Sequence, residues 1–150
     1  MIFRQERAGL HRVAFTLFKF RTMPHNTPQV AKDQAQNYQI AIRPLGVFLR
    51  RFSLDEVPQL WNVLIGDMSL VGPRPALFSQ VELIEMRDVV GVYAAQPGVT
   101  GLSQVNGREA LSLEAKVRLD AEYVHRASLA LDLRILARTV LAIFSSTGTY

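Results

Sequence analysis

Two adjacent carboxylates, Asp55 and Glu56, open the stretch "SLDEVPQLWNV" from Ser53 to Val63. Such a pair could do chemistry at a helix N-terminus if positive charge stands nearby. The same residues also fit an ordinary helix start. Ser53 with Glu56 three positions on is a capping-box pattern. Alternatively, Asp55 is the N-cap and Pro58 falls in the first turn, where its missing N–H costs nothing. The helix dipole favours acidic groups in either case. Val57, Leu60, Trp61 and Leu64 follow at helical spacing, so the pattern predicts a helix starting between Ser53 and Glu56 with those four side chains inward.

Cations on separate segments favour chemistry. Lys19 and Arg21 end the strand-like "KFRTM" on one face, and Arg50 and Arg51 lie just before the carboxylates. Arg74 sits in "GPRP", between Pro73 and Pro75, on a loop those prolines stiffen. A diphosphate requires this kind of neutralisation before an anion can attack phosphorus. Asp55, Lys19 and Arg74 are therefore expected to converge. Other polar residues have plainer readings: Asn106-Gly107 as a tight turn, Asp120 as a partner of Lys116 at helical spacing, Asp67 as a turn residue. His11, His25 and His125 share no metal-ligand spacing.

The whole chain narrows the options. Its 150 residues are 49% hydrophobic, enough for one domain with a real core and against general disorder. The absence of cysteine excludes a disulfide framework, a thiol nucleophile and thiolate ligands. A formal charge of +4, carried mainly by arginine, suits a nucleotide, a nucleic acid or an anionic membrane. Neither a helix-turn-helix, a zinc finger nor an RNA-recognition signature is present to favour nucleic acid. Early charges at Arg4, Glu6 and Arg7 speak against a signal peptide. Asp132, Arg134 and Arg138 interrupt "LALDLRILARTVLAIF" and make it a poor membrane span.

The elements that must position these groups are short. Two strands are expected around a turn at Ala8 to Arg12, then a polar loop from Pro24 to Gln39. A helix is expected within Leu77 to Val90, with Val81, Ile84 and Val89 inward. Another should run from Ser112 to Arg126, and Ser128 should cap a last one reaching about Phe144. The last helix offers Leu131, Ile135 and Leu136 to the core, or, with Arg134 and Arg138, to an anionic interface; the core is favoured. The fold class is α+β, a compact helix-rich single domain over residues 1–150 with short antiparallel strands or hairpins.

Taken together, "FKFRTM", "SLDEVPQLWNVLIGDMSLVGPRP" and "QPGVTGLSQVNGR" closely resemble the bacterial sugar transferases. These monotopic phosphoglycosyl transferases move a hexose-1-phosphate from a nucleotide sugar onto polyprenyl phosphate. The likeness runs in order from "FRQERAG" to the Leu131–Leu133 region. It implies that Asp55 attacks the β-phosphorus of a UDP-sugar, UMP leaves, and polyprenyl (undecaprenyl) phosphate takes the phosphosugar from the carboxylate. It also implies Mg2+ with Glu56 as ligand. Lys19, Arg21, Arg50 and Arg74 would bind phosphate or nucleotide sugar, with Asn106, Arg108 and Asp120 at further motif positions of that site. The implied setting is the cytoplasmic face of the bacterial inner membrane, at the start of exopolysaccharide, capsule or O-antigen synthesis, with a membrane surface but no nucleic acid as partner. Family members normally carry a hydrophobic N-terminal segment, and "MIFRQERAG" begins past its expected end, so a catalytic core without that segment is expected. Two other readings stay open: an inactive remnant serving as a partner domain, and a basic nucleic-acid-binding module.

Overall fold

The computed structural model describes residues 2–23, 44–107 and 110–145. Arg108 and the stretch from Pro24 to Gln39 lie outside them. The chain opens with an antiparallel hairpin, β1 (Ile2–Ala8) against β2 (Ala14–Phe20), in the register Ile2 to Phe20 and Ala8 to Ala14. The strand period of two puts Phe3, Gln5 and Arg7 on the same face as their partners Lys19, Leu17 and Phe15. Leu17 and Gln5 are buried there. This covered face thus carries two cations as well as apolar groups.

Helix α1 (Pro44–Arg51) leads into the carboxylate segment, which is not one helix. Leu54–Glu56 form a single 3-10 turn, and α2 begins only at Gln59 and ends at Leu64. Ser53 has φ of 54°, a left-handed conformation unfavourable for a residue with a Cβ, and this kink separates the turn from α1. The expected inward set is also reversed. Val57, Leu60, Trp61 and Leu64 are 45–78% exposed, whereas Gln59 and Asn62 are buried. Backbone groups of β2 explain the reversal: the Asn62 amide accepts from Phe18 N–H at 3.2 Å and donates to Thr16 C=O at 2.7 Å. Without that polar face, these β2 groups would lose their partner in a partly buried place.

Strand β3 (Ser69–Val71) and β4 (Gly98–Thr100) pair in parallel, Ser69 with Gly98 and Val71 with Thr100, which departs from the purely antiparallel expectation. Their backbones nearly touch. A Cβ on Gly98 would come within 2.6 Å of Gly72 Cα, and one on Gly72 within 2.8 Å of Gly98 N, so both positions need glycine for space. The "GPRP" loop leaves the sheet at this crossing.

Helix α3 (Val81–Val89) buries Leu83, Ile84 and Arg87. Val81 and Val89, expected inward, are exposed, because the buried stripe is shifted around the helix. The short α4 (Leu102–Val105) follows β4 directly, and Asn106-Gly107 ends this helix rather than turning a hairpin. Next come α5 (Leu113–Arg126), capped by Ser112, and α6 (Leu129–Ser145), where the Ser128 hydroxyl accepts from Leu131 N–H. Ala8, Ala76, Leu83, Ile84, Tyr93 and Val117 form one core cluster. A second joins Val71, Tyr123 and Ile135, with Leu131 and Leu136 packed against it, so the apolar stripe of α6 turns inward as favoured.

Candidate active site

The carboxylate pair does no capping. Neither the 3-10 turn nor α2 has a side-chain cap bond. Instead Glu56 Oε1 accepts from Lys19 Nζ at 3.0 Å and from Arg74 Nη2 at 2.7 Å. Both are ion pairs, and the Lys19 and Glu56 side chains are 17% and 18% exposed. Residues from β2, the 3-10 turn and the "GPRP" loop are therefore drawn onto one oxygen.

The charges around it are unequal. Burial alone would raise the Glu56 carboxyl, but Arg74 and Lys19 overcome that and hold it far below the ordinary carboxylate range. Lys19 moves down as well: burial and the neighbouring Arg74 outweigh its pairing with Glu56. The asymmetry is physical, since the anion faces two close cations while Lys19 faces one anion and further cations. Arg7 joins the same cluster. Burial, then Arg74, lowers it to about 10 despite the attraction of Glu56. Its guanidinium donates to Pro75 C=O at 3.1 Å and to Gln5 Oε1 at 2.6 Å.

Asp55 is half-buried beside this cluster. Burial, then the Glu56 charge, raises its carboxyl, while Lys19 and Arg50 pull in the opposite direction. Arg50 is itself held by the Thr22 hydroxyl at 2.9 Å. Four cations (Arg7, Lys19, Arg50 and Arg74) thus act on two adjacent carboxylates. The surplus is what an incoming di-anion would neutralise.

The segments expected to converge do meet: Lys19 and Arg74 both bind Glu56, and Lys19 and Arg50 act on the adjacent Asp55. Arg21 lies with its guanidinium 5.2 Å from the Phe3 ring centre. Asn106 is exposed and donates back to Leu102 C=O at 2.8 Å, within its own helix. Asp120 does not pair with Lys116. It is 1% exposed, with Oδ2 accepting from Arg87 Nε at 3.0 Å and Nη2 at 2.5 Å, and Oδ1 from the Ser103 hydroxyl at 2.8 Å. Arg7, Asn62 and Arg87 were not anticipated. For Arg7 the signal was present: it shares the period-two face of Phe3 and Gln5. For Asn62 and Arg87 the sequence carries no such signal, because helical spacing marks only the apolar side as the inward one.

As for a metal, among the described residues there is no group of three or more histidine, cysteine or acidic side chains that could hold one. Asp55 and Glu56 still offer adjacent hard oxygen donors, and Mg2+ commonly takes one or two carboxylates and completes its shell with water and phosphate oxygens. The donor set fits such an ion.

A cation-lined carboxylate pair on an α+β scaffold is the layout of a site for phosphate chemistry. The profile of the bacterial sugar transferases matches residues 1–146, and the chain belongs to that family. It is 43% identical over 148 residues to the uncharacterized sugar transferase EpsL of Bacillus subtilis, covering 99% of this chain and 72% of that protein. A UDP-glucose:undecaprenyl-phosphate glucose-1-phosphate transferase of Caulobacter vibrioides is 40% identical over 158 residues, covering 99% and 58%. The undecaprenyl-phosphate galactose phosphotransferase of Salmonella typhimurium is 38% identical over 164 residues, covering 99% and 34%. The chain thus spans about a third of the Salmonella protein's length.

The ion pairs predict a pH signature. Because Glu56 is held low in the fold, its stabilisation is fully present above its ordinary value of 4.5 and is lost as pH falls toward the folded-state value. Glu56→Gln is expected to lower stability at about pH 7 by roughly 1–3 kcal/mol, since two cations lose their counter-charge. Urea unfolding should show this gap narrowing at about pH 3. A gap of equal size at both pH values would contradict the ion-pair assignment.

Proposed function

We propose that the chain transfers a hexose-1-phosphate from a UDP-sugar to polyprenyl phosphate, with Asp55 as the nucleophile. One observation carries the reading: Asp55 stands free of any cap beside Glu56, whose partners Lys19 and Arg74 come from distant segments. The family and the relatives named as undecaprenyl-phosphate sugar transferases support it. The Asp55 carboxylate forms an O–P bond to the β-phosphorus, and the bond from that phosphorus to the bridging oxygen breaks. UMP leaves with the electron pair. A phosphate oxygen of the acceptor then attacks the same phosphorus, releasing the polyprenyl diphosphosugar and restoring Asp55.

Burial and the neighbouring Glu56 charge raise the Asp55 carboxyl, and a more basic carboxylate is a better nucleophile than an unperturbed one. Lys19, Arg50 and Arg74 bind the diphosphate oxygens, and charge developing on UMP is met by the same cations. Glu56 would hold Mg2+, which supplies Lewis-acid neutralisation of the diphosphate when bound. Placement at the cytoplasmic face of the inner membrane belongs to the same proposal.

No helix among the described residues is long and apolar enough to cross a membrane. An anionic bilayer surface is the occupant proposed for the apolar side of the carboxylate segment. Leu54, Val57, Leu60, Trp61 and Leu64 are exposed beside Asp55, as are Leu45, Val47 and Phe48 of the adjoining α1. So many large apolar side chains near one site exceed the scatter expected on a monomer's surface. Trp61 suits an interface, and Arg51 in the same region adds attraction for anionic head groups. The acceptor's phosphate would then meet Asp55 without its tail leaving the lipid.

Two outcomes follow. With UDP-glucose or UDP-galactose, Mg2+ and detergent-dispersed polyprenyl phosphate, the protein should release UMP. Asp55→Asn should lower the rate by roughly 10³-fold or more while unfolding at the same temperature. If Asp55→Asn keeps the parent's rate, the nucleophile is another group. Separately, the paired change Trp61→Asp with Leu64→Asp should sharply reduce sedimentation with phosphatidylglycerol vesicles. Undiminished binding by this variant would remove the membrane role of that surface.

A further inference from the structure

The "GPRP" loop cannot organise itself. Pro73 and Pro75 supply no N–H, so its carbonyls must find donors elsewhere. Four successive carbonyls do so. Pro73 C=O accepts from Gly98 N–H at 3.0 Å, Arg74 C=O from Arg87 Nη1 at 2.8 Å, Pro75 C=O from Arg7 Nη1 at 3.1 Å, and Ala76 C=O from Ala8 N–H at 3.0 Å. The bond nearest the chemistry, at Arg74 itself, comes from a side chain rather than the backbone. Beneath the loop, between Pro73, Arg74, Pro75, Arg87 and Tyr93, there is a cavity of only about 10 Å³, room for no more than a single water. The loop rests directly on these groups.

Arg87 is in turn fixed from behind. Its side chain is 4% exposed, and Nε and Nη2 both engage Asp120 Oδ2, leaving Nη1 aimed at Arg74 C=O. Asp120 is fixed by Ser103 at the other oxygen. The order is Ser103 on α4, Asp120 on α5, Arg87 on α3, and then the loop. A planar guanidinium can serve a carboxylate and a carbonyl at once in a fixed geometry, which a lysine ammonium cannot reproduce. Burying a charged pair is a poor route to stability by itself. Its geometry here is spent on one backbone atom of the phosphate-binding residue.

We propose that Arg87, oriented by Asp120 and Ser103, is a positioning residue that sets the height and direction of Arg74 at the diphosphate. The proposal rests on the reading of Arg74 as a phosphate clamp. It gives Asp120 an indirect role, through the loop, in place of contact with substrate.

The test is a double-mutant cycle on UMP release from UDP-glucose with Mg2+, with UDP affinity and thermal unfolding measured alongside. Arg87→Lys keeps the charge opposite Asp120 but loses the second arm. It is expected to reduce release and UDP affinity on the order of 10-fold, in line with the cost of small misplacements. In an Arg74→Ala background, Arg87→Lys should cost almost nothing more, because the residue it positions is gone. A merely structural role would give the same factor in both backgrounds. Equal factors would therefore overturn the proposal, as would a fully active Arg87→Lys. If Arg87→Lys does not fold, Ser103→Ala, which removes only one donor to Asp120, must show the same dependence on Arg74 with a smaller factor. An Arg74→Ala protein with unchanged UDP affinity and release would instead remove the phosphate-clamp reading, and this proposal with it.

Discussion

Glu56 is the charge on which the site depends. Lys19, Arg74 and Arg7 are partly buried close together, and burial and mutual repulsion lower both Lys19 and Arg7. Without an anion among them, the hairpin and the "GPRP" loop would be pushed apart. Glu56 supplies it, joining residues from positions 19 and 74 through one oxygen. The other constraints serve that meeting. Asn62 fixes the turn to β2, the glycine crossing of β3 and β4 launches the loop, and Arg87 fixes the loop's middle. A site prepared in this way holds excess positive charge in advance, so the proposed binding of a diphosphate there would require less reorganisation.

The reversal of α2 links this arrangement to the proposed lipid acceptor. In a soluble domain the apolar stripe of an amphipathic helix normally faces the core. Here the polar stripe does so, because Asn62 satisfies β2 backbone groups that an apolar side chain could not. The apolar stripe is consequently outside, flanking Asp55. Local hydrogen bonding thus gives both the placement of Asp55 and an apolar surround for it.

Much of the site was legible in the sequence, although the backbone carrying it was not. Asp55, Glu56, Lys19, Arg50 and Arg74 stood out because charge chemistry depends on residue type, and cations in several segments needed a common partner. The boundaries of α5 and α6 were also readable, since Ser112 and Ser128 are side-chain caps. Burial on short elements was not. Val81, Val89 and the α2 stripe all have helical spacing, but a six- or nine-residue helix is turned by one or two specific bonds rather than by its mean periodicity. The interior role of Asp120 was hidden for a different reason. Lys116 offered a local partner, while its actual partners, Arg87 and Ser103, are remote in sequence and only tertiary structure brings them near.

The central claim is that Asp55 carries the phosphosugar between the two substrates. Intact-protein mass spectrometry after acid quenching, with UDP-hexose and Mg2+ but no lipid acceptor, tests it most directly. The account predicts a mass gain of one hexose phosphate, mapping to the peptide that contains Asp55 and disappearing when polyprenyl phosphate is added before the quench. UMP release that requires the lipid from the outset, with no adduct at any time, would show direct transfer and contradict it.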